Sequence, residues 1–156
     1  MNSKQKAWRN TIALGAIAGM RSMAAPAVVS RQLSRRRFHW PRGKVESFLS
    51  EETTSNMLIT AAAAEMLLDK LPFAPNRIRI LPLAGRAAAG AVAGWSLGRR
   101  DSRVMLASVG AATAVVTAVT VFYLRSTIAK HSRIPDTLLG LAEDAVVLAI
   151  ANEVKV

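Results

Sequence analysis

Residues 104–124 read VMLASVGAATAVVTAVTVFYL, twenty-one positions without a charge. At about 1.5 Å per residue, a helix of that length covers the roughly 30 Å of a bilayer's hydrocarbon core. Arg103 precedes the run, Arg125 follows it, and Tyr123 lies near one end. Those are the flanks of a helix that meets head groups at both surfaces. The competing reading is a buried central helix of a soluble protein, but such helices are usually shorter and amphipathic. Strand is disfavoured throughout the chain, because alanine and leucine dominate and no period-two alternation occurs.

Outward from this run, the chain divides into apolar segments fenced by basic clusters. Residues 10–29 and 80–98 are each long enough to span but carry one arginine apiece, Arg21 and Arg86. Residues 57–71 and 138–151 are shorter and contain carboxylates: Glu65 and Asp69 in the first, Glu143 and Asp144 in the second. The expected fold is therefore all-α, a polytopic membrane bundle of about five helices, two of them short. The whole chain, residues 1–156, forms one membrane domain with a basic loop at 31–50. An uncleaved first span is expected, because Arg21 stands between the apolar core and the small-residue APA at 25–27, where a signal peptide tolerates charge poorly.

Bulk composition alone does not decide the class. The 156 residues include 51% hydrophobic and 20% charged positions, and 21 Lys and Arg against 10 Asp and Glu give a net charge of +11. A mean hydropathy of +0.25 fits either a basic soluble bundle or a small membrane protein. With no cysteine, disulfides, thiolate metal sites and cysteine nucleophiles are excluded. His39 and His131 lie in basic loops without metal-like spacing, and no phosphate-binding loop or nucleophile elbow occurs. No cofactor, metal or enzymatic activity is expected, although a lipid-modifying use of Glu65 with Arg86 stays open.

The intramembrane charges are the expensive residues. Glu65 and Asp69 are one helical turn apart on one face, Asp69 and Lys70 nearer the surface and Glu65 deeper. A charge at that depth costs about 2–3 kcal/mol or more unless it is protonated, paired or facing water. Arg21, Arg86, Glu143 and Asp144 share the penalty, so the arginines should turn inward toward the carboxylates. Adjacent Glu143 and Asp144 cannot share one face, and one of them could instead meet Arg125 or a neighbouring helix. The pairs Gly15/Gly19 and Gly90/Gly94/Gly98 repeat at four-residue spacing, which permits close helix approach within a bundle or across a homo-oligomer.

A long helix followed by a short acidic one occurs twice, as 10–29 with 57–71 and as 104–124 with 138–151, which reads as a degenerate inverted repeat of transporter type. The segments GAIAGMRSMAAPAVVS (15–30), AEMLLDKLP (64–72), RILPLAGRAAAGAVAG (79–94) and LAEDAVVLAIA (141–151) together resemble the bacterial membrane proteins of the domain of unknown function family 4126. The resemblance covers nearly the whole chain and implies a small integral membrane protein without assigning an activity. It draws attention to Arg21, Pro26, Glu65, Asp69, Lys70, Pro72, Arg86, Glu143 and Asp144. The basic loop RQLSRRRFHWPRGK (31–44) departs from it.

In that loop Arg35, Arg36, Arg37 and Trp40 suit anchorage at anionic lipid head groups, and nucleic acid is not the expected partner. Taking five spans, basic residues fall nine on the N-terminal side and ten on the other, so the positive-inside rule does not orient the chain, although the loop's own cluster favours the cytoplasm. Two functions fit in the bacterial inner membrane. In the first, a transporter or channel-like protein holds a proton or cation at Glu65 and Glu143 or Asp144, with an anionic group at Arg21 and Arg86. In the second, the protein serves structure or assembly, and its charges are static salt bridges.

Overall fold

A computed structural model describes residues 2–35, 43–68, 80–131 and 135–155. All regular structure among them is helical: α1 (Ser3–Met20), α2 (Ala24–Ser34), α3 (Lys44–Ser50), α4 (Glu52–Leu68), α5 (Ile80–Leu97), α6 (Arg103–His131) and α7 (Asp136–Glu153). Among the described residues seven helices thus stand where about five were expected. The loop at 31–50 contains α3, α4 begins at Glu52, and α7 has 18 residues rather than a short span's length.

The largest departure lies in residues 10–29, expected as one helix. The α1 helix ends at Met20, Arg21 is extended (φ −136°, ψ 111°), and α2 starts at Ala24. The sequence gives a reason. A helix running through Pro26 would lose the bond to the Ser22 carbonyl and clash with it, whereas in the first turn of a new helix Pro26 has no intrahelical donor to lose.

The chain then reverses. Asn10 on α1 and Gln32 on α2 both donate side-chain amide hydrogens to the end of α7, to the Lys155 and Val154 carbonyls, each at 2.7 Å. Had α2 continued along α1, those residues would stand about 33 Å apart, from 22 positions at about 1.5 Å each. The α1–α2 pair is therefore a helical hairpin with its tip at Arg21–Met23, not a span.

Around it the helices alternate. Gly15 and Gly19 of α1 lie on Gly110–Thr113 and Ala114–Ala118 of α6, so these helices run parallel. Gly90 and Gly94 of α5 lie on Gly110 and Leu106, so α5 runs antiparallel to α6. Glycine on both sides lets α6 sit against α1 and α5 with backbones in contact, the close approach that small residues permit. The α4 helix packs on α2, and α7 lies mainly against α1. The expected repeat is not symmetrical in form, since its first long segment is a hairpin and its second a continuous helix of 29 residues.

Among the described residues two helices, α5 and α6, are long and apolar enough to cross a membrane by length and composition. Only 28% and 22% of their apolar windows is buried. On α6 the small residues Gly110, Ala114 and Ala118 face inward with Leu106, while Val104, Met105, Val116, Tyr123 and Leu124 are exposed.

Candidate functional site

Breaking a helix leaves carbonyls unpaired at the end of one half and N–H groups unpaired at the start of the next. At the hairpin tip those groups are met by side chains from other helices. The Glu65 carboxylate on α4 accepts three hydrogen bonds: from the Ser22 N–H at 2.9 Å, the Ser22 hydroxyl at 3.0 Å and the Met23 N–H at 2.8 Å. It sits at the N-terminus of α2, where the helix dipole favours an anion. Arg86 on α5 is buried and donates from Nη1 to the Gly19 carbonyl at 3.0 Å, in the last turn of α1, where the dipole favours a cation.

Arg21 itself, only 1% exposed, donates from Nε to Asp144 Oδ1 of α7 at 2.7 Å. One residue earlier on α7, Glu143 accepts from Arg125 Nη1 at 3.4 Å. The adjacent carboxylates thus diverge, as a 100° step requires. Asp144 holds the hairpin tip, and Glu143 reaches the end of the apolar run on α6.

The structure therefore brings Arg21, Glu65, Arg86 and Asp144 to one place, the tip of the α1–α2 hairpin, with Glu143 beside it. The expectation that both arginines turn toward carboxylates is met by Arg21 through Asp144. The described contact of Arg86 is with a backbone carbonyl, and those of Glu65 are with Ser22 and Met23. Asp69, Arg36, Arg37 and Trp40 lie outside the described residues, while Arg35 is exposed just past the end of α2. Gly15, Gly19, Gly90 and Gly94 lie on α6, and Gly98 packs against Arg103 at the turn from α5 to α6.

The reading from sequence missed a third ion pair. Glu46 on α3 is 2.7 Å from Arg103 at the start of α6, and that guanidinium also lies 5.7 Å from the Trp95 ring centre. Glu46 is the first acidic residue in the chain, a lone carboxylate after a run of cations, which was the available signal. Nothing in the sequence marked Asn10 and Gln32 as the amides that hold α7.

Among the described residues, no three His, Asp or Glu side chains converge on a point that could hold a metal ion. The chain matches no family model, no curated protein and no solved structure.

Proposed function

We propose that this is a small integral membrane protein of the bacterial cytoplasmic membrane, working as a transporter or channel-like protein around the broken helix at Arg21. The observation that carries this reading is the charge-capped break itself. Non-helical backbone at membrane depth is tolerated where protein buries it, and helix ends facing each other there are how transport proteins hold ions and anionic groups. The outward apolar surface of α5 and α6 supports the membrane setting, since a soluble core helix would bury most of its apolar side chains.

The hairpin also bears on the proposed orientation. Lys4, Lys6, Arg9, Arg31, Arg35, Lys44, Arg99, Arg100, Arg103 and Lys155 collect at the end of the bundle that holds both termini, with Arg125 and Lys130 at the far end. Among the described residues that is ten cations against two. With the reversal at Arg21 this imbalance favours termini in the cytoplasm, where the five-span count of nine against ten favoured neither side.

In this reading Glu65 is the ion-binding carboxylate. It accepts all three donors at the α2 N-terminus, so an ion held there draws on the same oxygens that cap the hairpin tip. Arg21 and Arg86 then offer positive charge to an anionic group at the same place. In proteoliposomes under imposed gradients, the wild type should move protons or ions, and a monodisperse Glu65→Gln protein should not. Equal flux in both would remove Glu65 from the mechanism.

One observation favours a second reading, a structural or assembly protein. Each of Arg21, Glu65, Arg86, Glu143 and Asp144 already has a partner within the chain. An absence of flux in wild type, with aggregation of Glu65→Gln, would select it.

A further inference from the structure

An apolar groove of about 280 Å³ runs between α6 and α7 and reaches the hairpin at Met20. Val121, Leu124 and Ile128 form one wall, and Leu139, Ala142 and Val146 form the other. Among the described residues its charged lining is the Arg125–Glu143 pair. The two helices barely touch along it, because α7 is anchored elsewhere, on α1 through Asp144 and on Asn10 and Gln32 through its last carbonyls. The groove is open on one side, flanked by the exposed Leu124, Leu141 and Val146.

From this the geometry points to a binding site for one anionic phospholipid of the surrounding bilayer, its phosphate on Arg125 and one acyl chain along the groove. The inference rests on the membrane reading above. Arg125 is the first charge after the 21 apolar residues of α6, which sets it at head-group depth, with Val121, Leu124, Val146 and Met20 below it on the hydrocarbon side and Ile128 and Leu139 one turn above. A guanidinium presents five donors in a planar fork and can serve a carboxylate and a phosphate together, which a lysine ammonium cannot do in the same geometry. Glu143 is buried beside it, so the cation is held against the groove wall rather than extended into solvent. A chain lying there touches Met20, the last helical residue before the break, and thereby couples lipid occupancy to the hairpin tip.

The test uses full-length protein reconstituted in vesicles of equal phosphatidylglycerol and phosphatidylethanolamine and recovered by flotation. Co-purifying lipid is then measured by native mass spectrometry after gentle detergent extraction. Flotation reports membrane insertion separately, so a protein that fails to float defeats the membrane reading, whereas one that floats and retains no lipid defeats only the site. Wild type should retain phosphatidylglycerol over phosphatidylethanolamine by about fivefold, the value of one well-placed cation. Arg125→Gln should abolish the preference. Ala142→Phe, at an exposed position that fills the groove without touching the charges, should reduce retention of both lipids. Added inorganic phosphate should not compete, because the acyl chain supplies part of the binding. A wild type without preference, a preference that survives Arg125→Gln, or retention unchanged in Ala142→Phe would each overturn the site. The last holds even if Arg125→Gln does not fold.

Discussion

A single extended residue, Arg21, organises the centre of this chain. Its burial is tolerable because Asp144 meets it at 2.7 Å, and removing one member of such a pair leaves the other charge uncompensated. Asp144→Asn should therefore lower stability by about 3–5 kcal/mol, measured as a fall in the thermal midpoint in detergent. The double replacement Arg21→Met with Asp144→Leu should lie closer to wild type than Asp144→Asn does, because two apolar side chains remove both charges at once. If the double variant is the less stable, the pair contributes more than compensation. Glu65→Gln should cost about 1–3 kcal/mol, since an amide nitrogen turned toward the Met23 N–H leaves that donor unpaired. The costly residues were legible in the sequence, since charge in an apolar segment is conspicuous. Their partners were not. With 10–29 taken as one straight helix, Ser22 and Met23 are mid-helix residues whose N–H groups are already bonded, and no reason exists for Glu65 to seek them.

At the scale of the elements, the packing rests on glycines placed against backbone. A Cβ at Gly94 would collide with the Leu106 carbonyl, whereas a Cβ at Gly85 on the same helix meets nothing within 4 Å. Gly94→Ala should cost about 1–3 kcal/mol by forcing α5 and α6 apart. Gly85→Ala should stabilise α5 by up to about 1 kcal/mol through helix propensity alone. Thermal midpoints of the two single variants check this, and equal effects would mean that close backbone approach is not what holds α5 to α6. The four-residue spacing of the glycines is visible in the sequence, but the helix they face is not, because α6 contributes Gly110 without a repeat of its own. Pro26 was the overlooked sign of the break. Proline is tolerated inside many membrane helices, so it marks a reversal only together with the unpaired ends that Arg86 and Glu65 satisfy.

For the whole molecule, the exposed apolar surface of α5 and α6 and the gathering of described cations at one end are what the proposed reading rests on, a bundle oriented across a bilayer with a hairpin entering from the cytoplasmic side. All-helical structure and the central run at 104–124 could be read from composition and periodicity. The proposed orientation could not, because it depends on where the chain turns. A single span over 10–29 sends the basic loop away from the N-terminus, and a hairpin returns it. The direct measurement is the sidedness of single cysteines in sealed, oriented vesicles probed with a membrane-impermeant thiol reagent, using Asn2→Cys, Arg35→Cys and Lys130→Cys in a chain that has no cysteine of its own. Labelling of positions 2 and 35 from the cytoplasmic face and of position 130 only from the other is the expected result. Position 35 labelling with position 130 would contradict the hairpin, and all three labelling from either face would contradict a bundle that spans the membrane.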